Sequence, residues 1–226
     1  MTSVYDPSTG TGILSVWNEY PPEDAEFYER WYMTEHFPER LGVPGFLRGR
    51  RYRAIDADRT YFTFYDLESP DVLFSSAYIA RLNDPTAWTR RIMGRWSSMF
   101  RTACRRVSRA GTAVGGFVAV ARFEEPAAIS RGQAQELKER LANPCVVAVD
   151  IWQATAEQNA PTKEASARPE ADRWIAGAVI VETTSEASAR RVRDHLPELL
   201  GPAAKPTAIG IYGLMALQAA PQSPGP

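Results

Sequence analysis

The order of elements predicts an α+β chain made of two tandem ferredoxin-like units, each running β-α-β-β-α-β. Three observations carry that reading. Apolar runs of strand length and stripes of helical spacing follow one another in this order over the first half. The same order returns about 100 residues later with an unrelated sequence. With 226 residues and 44% hydrophobic content, the chain suffices for one large domain or two smaller ones, each with its own core. The units are expected at residues 1–110 and 111–218, followed by a proline-rich tail, 219–226, expected to be disordered.

In the first half, Gly12 to Tyr20 is an apolar run ended by Pro21-Pro22, as for a strand passing into a helix. Glu23, Asp24 and Glu26 place negative charge where a helix N-terminus favours it. From Ala25 to Phe37 the spacing is helical, with Tyr28, Tyr32 and His36 on one stripe, and Pro38 predicts that the helix ends within a turn. Val43 to Phe46 reads as a turn. Residues 46–55 and 59–67 then form a hairpin around Asp56-Ala57-Asp58. Two helices are predicted over Asp71 to Leu82 and Pro85 to about Thr102, the second with a buried stripe of Trp88, Ile92, Trp96, Met99 and Ala103. A short strand near Cys104 to Ser108 completes the unit.

The second half reads as strand 114–123, helix 131–141, strands 145–153 and 174–182, helix 185–199 and strand 207–218. Its two middle strands are separated by residues 154–172, rich in Ala, Pro, Glu and Lys, which predict a mobile loop. Because a sheet covered by helices on one face still needs a partner on the other, the two sheets are expected to pack face to face. Glu35 to Gly42 resembles Asp194 to Gly201. The two stretches end different helices, however, and read as helix ends followed by Pro and Gly rather than as a repeat.

Charge and motifs narrow the function classes. Lys plus Arg total 26 against 27 Asp plus Glu, so no overall field draws nucleic acid or an anionic membrane. Residues 85–123 hold eight arginines and no acid, but the acidic segment 19–39 is expected to compensate them. The first residues lack a signal-peptide pattern and no run is long enough to span a membrane, which predicts a cytoplasmic protein. Cys104 and Cys145 show no metal-ligand spacing and read as buried free thiols. P-loop, GxGxxG, GxSxG and zinc patterns are missing.

The chain has two histidines. His36 sits at a helix end beside Glu35, one and two turns after Tyr32 and Tyr28, which makes it the candidate for proton transfer. Its alternative role is to cap helix carbonyls. His195, flanked by Arg193 and Asp194, is expected to face water. Tyr65 and Tyr78 are the further catalytic candidates, being close to element ends where pockets open. Trp17, Tyr32, Arg51, Asp66 and Trp88 are the expected substrate contacts in an aromatic-lined cleft. Most of the remaining aromatics are expected to be core.

Phe27 to Pro38, an aromatic helix leading into His-x-Pro, followed by the Pro-Gly turn and Arg-rich strand of Val43 to Tyr52, resembles the EthD-like branch of the dimeric α+β barrel superfamily. The resemblance covers about residues 11–110; the second half is similar only in its order of elements. It implies a barrel-like arrangement within one chain, a pocket between sheet and helices, and His36 with nearby tyrosines as the proton-transfer groups. It also implies a small hydrophobic or aromatic substrate and no cofactor or metal. Members include cofactor-independent monooxygenases, isomerases, lyases and cyclases, along with haem-binding relatives. The expected activity is therefore a lyase, isomerase or dehydratase reaction at His36. The alternatives are a cofactor-independent monooxygenase and a protein that binds a hydrophobic ligand or haem. A homodimer is compatible with this reading, although no residue pattern asks for one.

Overall fold

The computed structural model describes residues 10–127, 133–158 and 162–221. Eight strands close into one barrel. They are β1 (Gly12–Glu19), β2 (Phe46–Asp56), β3 (Tyr61–Leu67), β4 (Ser97–Ala110), β5 (Phe117–Phe123), β6 (Val146–Ala154), β7 (Gly177–Thr183) and β8 (Ala208–Ala219). The order around the barrel is β1-β3-β2-β8-β5-β7-β6-β4. All neighbours are antiparallel, so β4-β1-β3-β2 is followed by β8-β5-β7-β6, the same order within each half. The halves meet edge to edge, through β2 with β8 and β4 with β6, rather than face to face as the sequence suggested. Closure of this kind pairs every edge strand and leaves no row of open backbone groups.

Alternation along each strand sorts side chains between two environments. Inward go Ile13 and Trp17 from β1, Phe62 and Phe64 from β3, and Trp152, Ile180 and Tyr212 from the second half, filling the barrel with side chains. Outward go Leu14, Val16, Tyr61 and Tyr65, onto the helices of the first half, and Val149, Val179 and Val181, onto those of the second.

Those helices are α1 (Ala25–Trp31), α2 (Phe37–Leu41), α3 (Ser76–Leu82), α4 (Ala87–Met93), α5 (Gln133–Leu141), α6 (Lys163–Ser166) and α7 (Glu186–Leu200). Between α1 and α2 the chain does not stop at Pro38. It passes through a π turn, Tyr32–His36, closed by the Phe37 N–H donating to the Tyr32 carbonyl, five residues back. A proline inside a regular helix clashes with the carbonyl four residues earlier, and the wider turn relieves that clash, so the helix continues to Leu41.

Three further expectations are corrected. The second predicted helix ends at Met93, and β4 is 14 residues long, starting at Ser97. Met99 and Ala103 are four apart, which fits a helix stripe and one face of a strand equally, and pairing with β1 and β6 decides for the strand. Residues 154–172 are not a loose loop where they are described. Thr162 caps α6 by accepting from the Ala165 N–H, Lys163 N–H donates to Asn83 Oδ1, and Arg173 exchanges backbone hydrogen bonds with Met99 and Arg101 of β4. Residues 159–161 of that segment lie outside the described residues. The expected tail also begins inside structure: β8 ends at Ala219 and Ala220 N–H donates to the Leu47 carbonyl, while 222–226 lie outside the described residues. Cys104 is buried and Cys145 half-buried, both free. Among the described residues no helix is long and apolar enough to cross a membrane.

Candidate functional site

The wall of the site is laid down by helices and strands of the first half. The π turn contributes Tyr32 and His36, and α2 contributes Arg40, one further step along the same stripe. Leu14, Val16 and Tyr65 come from β1 and β3, and Tyr78 from α3. Trp96, Met99 and Arg101, at and before the start of β4, complete it on one side. From the second half, Glu164 of α6 closes the top. The space enclosed is about 20 Å³, room for about one oxygen-sized group.

His36 is 5% exposed, and its Nδ1 is buried with no hydrogen-bond partner among the described residues. Its ring lies 4.5 Å from Trp31, 5.0 Å from Tyr32 and 6.1 Å from Trp96, centroid to centroid. Burial, and then the positive charges of Arg40, Arg51, Arg168 and Arg101, hold its pKa well below the usual 6.5. The imidazole is therefore neutral at neutral pH and able to accept a proton. Glu35, its sequence neighbour, turns its carboxylate to other partners. That carboxylate accepts from Thr89 Oγ1 at 2.9 Å and from Trp31 Nε1 at 3.1 Å, tying the helices together.

The tyrosine hydroxyls are tied into hydrogen bonds. Tyr65 and Tyr32 share a hydroxyl–hydroxyl hydrogen bond of 3.3 Å, and Tyr78 accepts from Arg101 Nη2 at 2.7 Å. Burial, then the neighbouring Tyr32, push the Tyr65 phenol well above 10, so it keeps its proton. Arg40, 2% exposed, is ion-paired through Nη2 to Glu164, and its Nη1 is buried without a hydrogen-bond partner among the described residues. Burial opposes the guanidinium charge, but the Glu164 carboxylate and the facing Tyr78 and Tyr65 hold its pKa above the ordinary value.

Beyond Glu164 lies a cleft of about 620 Å³, between Arg101 of β4 and residues that include Gln158, Thr162, Arg168 and Trp174. Arg101 and Glu164 line both spaces, so this pair of side chains is the partition between them. Trp174, 61% exposed, stands at the cleft's edge.

The expected site residues thus divide. His36, Tyr32, Tyr65 and Tyr78 meet at the inner cavity. Arg51 lies behind it, with its guanidinium 3.7 Å from the Tyr32 ring centroid and ion-paired to Glu29. Trp17 faces the barrel interior, stacked on Phe62 at 4.6 Å, because β1 turns its odd-numbered residues inward. Asp66 is also inward, in a buried network that joins Arg48, Arg50, Arg106 and Arg109 to Asp66, Asp150 and Glu182. Burial would raise the Asp66 pKa, but Arg106, Arg50 and Arg48 together lower it. Trp88 packs outside the cavity against Phe27, at 5.6 Å. Neither Trp17, Asp66 nor Trp88 lines the space at His36. His195 is exposed, with Nδ1 2.7 Å from the Arg191 carbonyl.

Arg40, Arg101 and Glu164 were not among the expected site residues. Arg40 is four residues after His36, a helical neighbour spacing that points to it; Thr162 followed by helix formers is the signal for α6, but nothing in sequence ties Glu164 to Arg40. Of the arginine-rich segment, Arg95 pairs with Glu23 and Asp24 as expected, whereas Arg106 and Arg109 turn into the barrel and Arg122 pairs with Asp58. Among the described residues, no three His, Cys, Asp or Glu side chains stand together as metal ligands.

An eight-stranded α+β barrel with a helix-side cavity defines the class of fold, and comparison with solved structures gives its members. No family model matches the chain, and no curated protein does. An anthrone oxidase-like protein is similar over 97% of both chains, with a TM-score of 0.63 and 11% identity. A haem-binding protein from Thermus thermophilus is similar over 92% of both chains, with a TM-score of 0.51 and 12% identity. At these identities the likeness is one of fold.

Proposed function

We propose that this chain is an enzyme that moves a proton on a small cyclic or aromatic molecule, with His36 as the base. One observation carries the reading: a buried, neutral imidazole whose Nδ1 has no partner among the described residues, facing a cavity lined by phenols and guanidinium groups. Such a base accepts a proton from a hydroxyl or from carbon beside a carbonyl, and the oxyanion that forms is stabilised by Arg40 and by the hydroxyl groups of Tyr32 and Tyr65. Return of the proton at another position gives an isomerase; loss of a leaving group gives a lyase or dehydratase.

A second reading has an observation of its own. If oxygen intercepts the same anion, the reaction is a cofactor-independent oxidation, as in the alternative of a monooxygenase, and the anthrone oxidase-like protein of the same fold favours it. A haem-binding role is less well supported, since the residues present do not fit that group. The His36 Nδ1 lacks the acceptor that ordinarily holds the second nitrogen of a ligating imidazole. Placement in the EthD-like branch rests on Phe27 to Pro38 and the following turn. The tandem ferredoxin-like reading of 1–110 and 111–218 is supported by the repeated strand order.

The test is a screen of enolisable ketones, hydroxy acids and phenols, followed by oxygen-electrode and deuterium-exchange measurements on any compound turned over. Exchange of solvent deuterium into the substrate that depends on His36 supports proton transfer, and stoichiometric oxygen uptake selects the oxidative version. Turnover that is indifferent to His36→Ala refutes both.

A further inference from the structure

We propose that the ligand of this site is a cyclic organic acid whose carboxylate takes the place of the Glu164 carboxylate on Arg40, so that Glu164 is an internal competitor for the charged end of the substrate. This rests on the proton-transfer reading above and adds the substrate class to it.

The argument begins with charge. The inner cavity is lined by Arg40 and Arg101 against the carboxylate of Glu164, beside a neutral His36. Without Glu164, that space is a cationic bay in low-dielectric surroundings, which an anion would fill. Glu164 reaches it from a four-residue helix of the other half of the chain, 124 residues from Arg40 in sequence. It uses only Nη2 of the guanidinium. Nη1 is buried and has no hydrogen-bond partner among the described residues, so half of the Arg40 fork is unmatched. A carboxylate not tethered to α6 can engage both nitrogens, the bidentate arrangement that arginine favours.

Shape points the same way. The inner cavity admits about one oxygen-sized group, whereas the outer cleft of about 620 Å³ is of the size that holds a ring system. Glu164 stands between them, lining both. Rotating its side chain off Arg40 joins the spaces, so that a ring in the cleft places its acid on Arg40 and an adjacent hydroxyl or acidic carbon at His36. Trp174, exposed at the edge of the cleft, offers a face for stacking.

Calorimetric titration with 2-naphthoate and with uncharged 2-naphthamide tests this. The wild-type protein should bind the acid at least about tenfold more tightly than the amide. Glu164→Gln should tighten the acid by about tenfold and leave the amide unchanged, because it removes the competing charge while keeping the side-chain shape. Arg40→Gln should weaken the acid by about tenfold or more. Should that variant fail to fold, Arg40→Lys, which keeps the charge but loses the fork, should give a smaller weakening. Equal binding of acid and amide, no effect of Glu164→Gln, or no binding of 2-naphthoate to any variant overturns the proposal. Charge preference without any His36-dependent turnover would count against the proton-transfer reading alone. Turnover of a neutral compound that depends on His36, with no preference for the acid, would count against this one alone.

Discussion

Cutting the Arg40–Glu164 pair on one side should be far more damaging than removing both partners. The side chains are 3% and 8% exposed, so solvent screens the pair little, and removing one partner leaves the other charge uncompensated. Removing one member of a buried pair costs ~3–5 kcal/mol, whereas exchanging both for apolar groups of similar volume is often close to neutral. Glu164→Ala is therefore expected to lose ~3–5 kcal/mol. At about 2–4 °C per kcal/mol for a chain of this length, that is a fall in Tm of roughly 6–20 °C. Arg40→Met combined with Glu164→Leu should recover most of the loss. Urea unfolding of the wild type, both single variants and the double variant, followed by circular dichroism, closes the cycle. A Glu164→Ala cost below about 1 kcal/mol, the range of surface pairs, would mean that α6 does not seal the cavity. The account of Glu164 as the partition between the two spaces would then be wrong.

Other expectations follow from the same geometry. His36→Ala should lower turnover by on the order of a hundredfold or more while circular dichroism stays native, and His195→Ala should change the rate little; steady-state kinetics on any substrate from the screen decides. Because His36 holds its proton less tightly folded than unfolded, the unfolded chain takes up the proton first on acidification. Its contribution to stability is thus complete above pH 6.5 and is lost as the pH falls below that value, at up to about 1.4 kcal/mol per pH unit. Unfolding free energies between pH 7.5 and 5 should accordingly fall less steeply for His36→Gln than for the wild type. Gly49→Ala should destabilise by about 1–3 kcal/mol, since the added Cβ would collide with the Phe37 ring and come within 2.9 Å of Tyr65 Cδ1; thermal unfolding measures it.

Most strands could be read from apolar runs and turn residues, because a run such as Tyr61–Leu67 has no other way to bury both of its faces. What alternation cannot say is which face becomes the inside of a closed barrel. That is why Trp17 and Asp66 looked like site residues, while Tyr65, next to Asp66 and therefore on the opposite face, lines the cavity at His36. β4 was obscured because Trp96, Met99 and Ala103 satisfy helical spacing, and only the partners β1 and β6 choose between the periods. Glu164 was hidden for a different reason. Its neighbours Thr162, Lys163, Ala165 and Ser166 carry the composition of a solvated segment, and its position is fixed by a guanidinium 124 residues away. Contacts of that separation leave no local periodicity to find.

The π turn explains how a single stripe of this sequence reaches the cavity. Tyr28, Tyr32, His36 and Arg40 are spaced by four, and in a regular α-helix each such step drifts by about 40°, so that Arg40 would stand about 120° from Tyr28. One additional residue accommodated in a π turn removes about 100° of that drift, leaving about 20°. All four side chains are accordingly buried, at 0, 1, 5 and 2% exposure. Without the turn, packing could hold the tyrosines against the sheet or Arg40 against Glu164, but not both. Pro38 belongs to the same device, since it disfavours the regular helical hydrogen bond that would restore the drift. The interior of the barrel is filled by aromatic side chains and by the arginine–carboxylate network, whereas this outward face of the first half, closed by Glu164 of the second, encloses the cavity at His36.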